Sequence, residues 1–269
     1  MKNDLVSING ELRAFGDAFG APDGLLAANF VYQKMNVLGY APLRAEWHAE
    51  IAEISYQTLY GTNCGLDTEA LNREVHALLT ANRYPRSGVL VSLYLMPAVD
   101  GSGQPVRLLS CEKQLVFKDY ALWNTGLKCI VLPYEYPYPQ FRTAASLAAH
   151  TYATDYARRM GADAAICENR AGMLTGVGEN PLFVSENRMV FTPPLDDAIP
   201  DSAERRLVIE ACHRAGITIA ERVLTADTLT NCDELFTVTP QGFASIRQYA
   251  GQIYPHSLAR HLAEQFKQI

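Results

Sequence analysis

An α+β protein in two halves is what this chain predicts, on three observations. Its 269 residues, 48% hydrophobic and 19% charged, are enough to bury a substantial core as one large or two modest domains. Apolar strand-like runs, VLVSLYLMP at 89–97 among them, occur beside segments with helical spacing. A polar stretch from Lys118 to Thr125 interrupts the pattern as the expected hinge. The expected domains are therefore 1–118 and 126–269, joined by a linker over 119–125.

In the first half, short strands are expected around Leu5 to Ala14. A Gly-rich stretch, FGDAFGAPDG at 15–24, then precedes an apolar strand around Phe30 to Val37. Helical patterns follow near Ala45 to Tyr60 and Thr68 to Ala81, and then the strand Val89 to Pro97.

In the second half, LKCIVLPYEYPYPQF at 127–141 reads as a strand running into a Pro- and Tyr-rich loop. Pro133, Pro137 and Pro139 stiffen that loop and remove donors, so it does not continue a sheet. Tyr134, Tyr136, Tyr138 and Phe141 stand just before Arg142, where they either wall a planar ligand or pack at the domain junction. An Ala-rich helix near Ala144 to Met160, a helix from Ser202 to Ala215 and a strand ITIAERVL at 217–224 come next. A strand beginning at Cys232-Asp233-Glu234-Leu235-Phe236 and the turn TVTPQGFASIRQYAG complete the half.

The segment from Ala157 to Pro194, ARRMGADAAICENRAGMLTGVGENPLFVSENRMVFTPP, resembles the class IV aminotransferases almost throughout. These fold-type IV pyridoxal-phosphate enzymes include branched-chain aminotransferase, D-amino-acid transaminase and aminodeoxychorismate lyase. The shared order is a helix closing on a small-residue turn, two strands about a Gly turn, G-x-G-E-N, and a hydrophobic strand closing at T-P-P. The resemblance implies a two-domain, D-amino-acid-aminotransferase-like α+β fold, pyridoxal phosphate in an interdomain cleft, and a homodimer in which each cleft is completed by its partner. It spans nearly the whole chain, with its specific motifs after Gly126.

In that family a lysine shortly before the Ala-rich helix tethers the cofactor and moves the substrate proton. Here the matching position is Arg142 or, with a one-residue slip, Thr143, and no lysine occurs between Lys128 and Lys267. A guanidinium stays protonated and forms no imine at neutral pH. The Glu that pairs with the pyridine nitrogen is matched by Thr175. Glu179 and Asn180 match the retained E-N, which supports the site from behind.

The phosphate turn of relatives, L-P-G-I-T-R at a helix start, is matched by Ile199-Pro200-Asp201-Ser202-Ala203-Glu204-Arg205. Ser202 and Ala203 are the candidate anion contacts there. Asp201 and Glu204 also fit an ordinary acidic helix start with Ser202 as cap. The strand arginine that grips phosphate in relatives is matched by Lys34, which reads equally as a solvated strand lysine. Thr239 and Gln241 are the candidates in the last turn. Arg142 either pairs with a surface carboxylate or offers its fork to a small carboxylate or amino acid in the cleft.

Net charge is −6 and no basic stripe interleaves with aromatics, so nucleic-acid binding is not expected. No apolar run reaches a membrane span and the N-terminus lacks a signal-peptide core, which makes the cytoplasm the expected compartment. Six scattered cysteines read as reduced, and six histidines show no metal-ligand spacing apart from His256 and His261, where a helix start is expected; no metal is expected. Three functions remain open. The chain is a diverged aminotransferase or lyase that still holds pyridoxal phosphate, without a covalent link or through a relocated lysine. Alternatively it is a cofactor-free enzyme or carboxylate-binding pseudoenzyme on the same scaffold. The third reading is a non-catalytic partner of an active paralogue.

Overall fold

A computed structural model describes residues 5–15, 29–97, 105–115, 120–123, 125–136, 139–195 and 199–266. Most of the Gly-rich stretch 15–24, hinge residues 118, 119 and 124, and Pro137 and Tyr138 lie outside the described residues. The chain divides into two compact units, 1–118 and 119–269.

The first unit holds β1 (Leu5–Ile8), β2 (Glu11–Ala14), β3 (Val31–Leu38), β4 (Ala41–Pro42), α1 (Ala45–Tyr60), α2 (Thr68–Ala81), β5 (Val89–Met96) and β6 (Val106–Gln114). The strands form one antiparallel sheet in the order β2-β1-β6-β5-β3-β4. Period-two alternation puts Val31, Met35 and Val37 of β3 on one face, in a core with Leu71, Val75 and Leu78 of α2. The other β3 face carries Lys34, opposite Ser92 of β5. Asp67 caps α2 by accepting from the Ala70 N–H at 2.7 Å, and Gly61 closes α1 at φ 72°.

The second unit contains β7 (Leu127–Pro133), α3 (Ala144–Arg159), β8 (Ala164–Glu168), β9 (Leu174–Val177), β10 (Leu182–Glu186) and β11 (Met189–Thr192). After these come α4 (Ala203–Arg214), β12 (Ile219–Glu221), α5 (Ala226–Asn231), β13 (Glu234–Thr239), β14 (Gly242–Tyr249), β15 (Gln252–Ile253) and α6 (Ser257–Gln265). Its sheet runs β12-β11-β10-β13-β14-β7-β8-β9, with β15 paired to β14. β7 and β8 are parallel and α3 is their crossover, so the loop 134–143 leaves the C-terminal end of β7 and delivers the chain to the N-terminus of α3.

Local chemistry accounts for that crossover. Gly161 at φ 71° ends α3, and Asp163 ties the next turn to β7 by accepting from the Lys128 N–H at 2.8 Å while its own N–H donates to the Lys128 carbonyl. Ala149, Ala153 and Ala157 give α3 a flat face that packs on Leu132, Tyr136 and Cys167. Tyr134 and Tyr136 are thus part of this packing, their rings 5.6 Å apart and edge to face.

One expectation is revised. The strand over 217–224 shrinks to Ile219–Glu221, which among the described residues is an edge strand paired with β11. Described residues of the expected hinge are hydrogen-bonded into the second unit: the Trp123 N–H donates to the Phe243 carbonyl at 2.8 Å and Tyr120 is buried.

Candidate functional site

The start of α3 fixes which residue faces the site. Thr143 is the N-cap: its hydroxyl accepts from the Ser146 N–H at 3.3 Å, and the Ser146 hydroxyl accepts from the Thr143 N–H at 2.7 Å. Thr143 is committed to this reciprocal box, which leaves Arg142 as the side chain at the head of the helix.

Arg142 does not pair with a surface carboxylate, nor does it present a free fork. Its side chain is 1% exposed, and Nη2 donates to Oε2 of Glu204 at 3.3 Å. Glu204, expected on an exposed acidic helix start, is 0% exposed. The physical reason is helical phase: Glu204 shares a face with Leu207, Val208 and Ala211, the buried face of α4. Asp201, just outside the helix, keeps the surface role and pairs with Arg206 at 2.6 Å. Ser202 caps α4, its hydroxyl accepting from the Arg205 N–H at 3.2 Å, and both Ser202 and Ala203 are buried. Arg205 turns away to Glu221 and the Pro193 carbonyl.

The Arg142–Glu204 pair is incompletely matched. Nε and Nη1 of Arg142 and Oε1 of Glu204 are buried with no hydrogen-bond partner among the described residues. Glu179 is coupled to the same charge. Burial, and secondly the Glu204 carboxylate, push the Glu179 carboxyl up to about 8, so near neutrality it is largely a neutral acid. A cavity of about 10 Å³ beside it, lined by Tyr136, Phe141, Ser146 and Ile199 among others, has room for about one water.

The two glycines of the G-x-G-E-N run are required by close approach. A Cβ on Gly176 would sit 2.6 Å from the Asn180 carbonyl oxygen. One on Gly178, at φ 57°, would sit 2.3 Å from His150 Nδ1. The same His150 nitrogen accepts from the Glu179 N–H at 3.4 Å, and the Asn180 amide donates to the Val177 carbonyl at 3.2 Å. Glu179 and Asn180 therefore brace a turn.

Other sequence candidates have local employment. Thr175 on β9 donates its only hydroxyl proton to the Cys167 carbonyl at 3.2 Å, so that proton is not offered to a ring nitrogen. The Thr239 hydroxyl donates to the Gly242 carbonyl at 3.3 Å and accepts from the Gln241 N–H at 3.1 Å, closing the β13–β14 turn on itself. The Gln241 carbonyl accepts from the Trp123 indole at 3.4 Å. Lys34 stands half-buried on β3 of the first unit. Arg142, Glu179 and Glu204 are brought together in the second unit, and Glu204 is the residue that sequence reasoning missed as a site residue. Its partner lies 62 residues away, a relation no local motif encodes.

None of the six cysteines is disulfide-bonded, and burial pushes the thiols of Cys64, Cys212 and Cys232 up to about 12, away from nucleophilic thiolates. Among the described residues no three His, Cys, Asp or Glu side chains are grouped to hold a metal ion. No helix among them is long and apolar enough to cross a membrane.

Comparison with known proteins agrees with this fold. The family model described as amino-transferase class IV matches residues 31–249. A Methanocaldococcus jannaschii protein provisionally named a branched-chain-amino-acid aminotransferase is 29% identical over 112 residues, which span 40% of this chain and 38% of that protein. Among solved structures, the branched-chain aminotransferase of Thermoproteus uzoniensis superposes with a TM-score of 0.83 at 21% identity, covering 98% of this chain and 93% of the other. That of Thermobaculum terrenum in its PLP form gives 0.84 at 17% identity, with 100% and 94% covered. At these identities the structural likeness establishes a shared fold of fold-type IV.

Proposed function

The chain belongs to the class IV aminotransferase family, and we propose that it is a member that has left lysine-dependent pyridoxal-phosphate chemistry: a homodimeric, cytoplasmic pseudoenzyme rather than a transaminase or lyase. Members of the family use pyridoxal phosphate, and a solved relative carries it. The residues present here do not fit that group. The observation that carries the reading is Arg142, buried at the head of α3 and engaged by Glu204, where the sequence register expects the tethering lysine. A guanidinium offers no nucleophilic amine, and residues 129–266 contain no lysine to replace it. Three further features support the same reading: the hydroxyl proton of Thr175 is committed to the Cys167 carbonyl, Thr239 is committed to its own turn, and a buried carboxylate stands in the first turn of α4.

The small carboxylate or amino acid expected as a ligand at Arg142 meets an internal competitor, because Glu204 already supplies a carboxylate. This favours a non-catalytic role over a carboxylate-processing one.

The test is direct. Purified protein is incubated with pyridoxal phosphate, dialysed, and its visible absorbance recorded. A second portion is reduced with borohydride and mapped by peptide mass. A colourless protein with only weak, scattered lysine labelling is the expected result. Retained cofactor, or stoichiometric labelling of Lys34 or Lys128, would sink the proposal.

A further inference from the structure

The first turn of α4 has the physics of an anion site. Its leading amides have no intrahelical acceptors and lie at the positive end of the helix dipole. Ser202 satisfies two of the following donors, the Arg205 N–H through its hydroxyl and the Arg206 N–H through its carbonyl. A helix start alone is no site, but here a second observation points the same way. The guanidinium of Arg142 reaches this turn almost wholly buried, with one donor on Glu204 and with Nε and Nη1 unpartnered. Buried guanidinium donors without acceptors are uncommon in folded proteins and costly.

The match between the two side chains is loose. A carboxylate has two oxygens; only one reaches Arg142, at 3.3 Å, and Oε1 has no partner. An oxyanion with more oxygens would meet more of the donors present. The surrounding charges are already balanced. Asp201 is paired with Arg206 and Arg205 with Glu221, while Glu179 lies next to Glu204 as a largely neutral acid near neutrality.

We propose that Glu204 is a resident anion: its carboxylate, held by Arg142 in the first turn of α4, occupies the place where this unit would otherwise take a small tetrahedral oxyanion, and removing that carboxylate opens a phosphate site. This rests on the reading above that the chain does without pyridoxal phosphate, and it supplies the reason: the phosphate of such a cofactor meets a buried negative charge.

The experiment compares the full-length wild type, Glu204→Ala and Arg142→Met/Glu204→Ala in inorganic phosphate and in chloride at equal ionic strength, by thermal shift and calorimetric titration. Truncation to Ala is needed because Gln would keep the volume that the carboxylate fills. Phosphate should bind Glu204→Ala at least about tenfold more tightly than wild type, the size of one charge-assisted hydrogen bond. The response should disappear in the double variant. If Glu204→Ala is unfolded in chloride, phosphate should restore its near-ultraviolet dichroism, because a ligand that binds only the folded state stabilises it. A folded Glu204→Ala protein with no gain, one that phosphate does not restore, or a wild type that binds phosphate equally well overturns the inference. Its failure is separable from failure of the proposed function. Pyridoxal phosphate retained by the wild type refutes the function whatever phosphate does, whereas a colourless wild type with an unresponsive Glu204→Ala protein refutes the resident anion alone.

Discussion

The Arg142 guanidinium meets the Glu204 carboxylate at 3.3 Å, one side chain at the head of α3 and the other in the first turn of α4, both shut away from solvent. Each charge is tolerable in the interior only because of the other. Removing one partner, as in Arg142→Met or Glu204→Leu, should cost about 3–5 kcal/mol, while the paired replacement should cost much less. Urea denaturation of the four proteins of that cycle measures the coupling. Additive single costs would mean that the ion pair carries no stability.

Glu179 predicts a pH dependence. Its carboxyl is raised from an ordinary 4.5 to about 8 in the folded protein. Between those values the folded state keeps a proton that the unfolded chain has released, so stability falls as pH rises through that window. The contribution is complete below the unfolded value and lost above the folded one. Glu179→Gln mimics the neutral acid, so it should flatten this slope and exceed the wild type at alkaline pH by roughly 3–5 kcal/mol. Chemical denaturation across the window reads this out. Parallel curves for the two proteins would place the dependence elsewhere.

Gly178→Ala and Gly176→Ala should each destabilise the protein by about 1–3 kcal/mol. The first forces a Cβ against His150 Nδ1 at a positive φ, and the second against the Asn180 carbonyl. His150→Ala should relieve the contact part of the first, leaving its positive-φ strain, and leave the second unchanged, which thermal melts of the double variants can check.

Thr143→Ala removes the hydroxyl that accepts from Ser146 at the start of α3 and should cost about 1 kcal/mol. Thr143→Ser keeps the acceptor and should recover most of that loss. Equal melting temperatures for the wild type and Thr143→Ala would show that the cap is energetically idle.

The proposed homodimer can be tested on α3 and its C-cap, where Tyr152 and Met160 are large exposed side chains and Tyr152 stacks with Tyr156 at 6.4 Å. Light scattering at micromolar concentration should report a dimer, and Tyr152→Glu should shift it toward monomer. A monomeric wild type would remove the shared assembly from the proposal.

What the sequence determined by itself is the scaffold and its punctuation. The helices Ala45–Tyr60 and Thr68–Ala81 follow from apolar spacing, and the end of β7 at Pro133 from the proline loop. The glycines of the G-x-G-E-N turn and the capped start of α4 were also legible, because each depends on residues within a few positions of one another. That residues 129–266 contain no lysine is read from the sequence alone and does not depend on register. β6 went unread: its CEKQ end looks like loop, and it is a strand because β1 and β5 pair with it on both sides. Only the tertiary structure decided the chemistry of the site. Glu204 is acidic at a helix start, a pattern that usually means solvent, and its burial follows from the face that α4 turns to the core. Its meeting with Arg142 depends on a crossover helix and a nine-stranded sheet bringing two helix starts together, and long-range packing of that kind leaves no periodic trace in the chain.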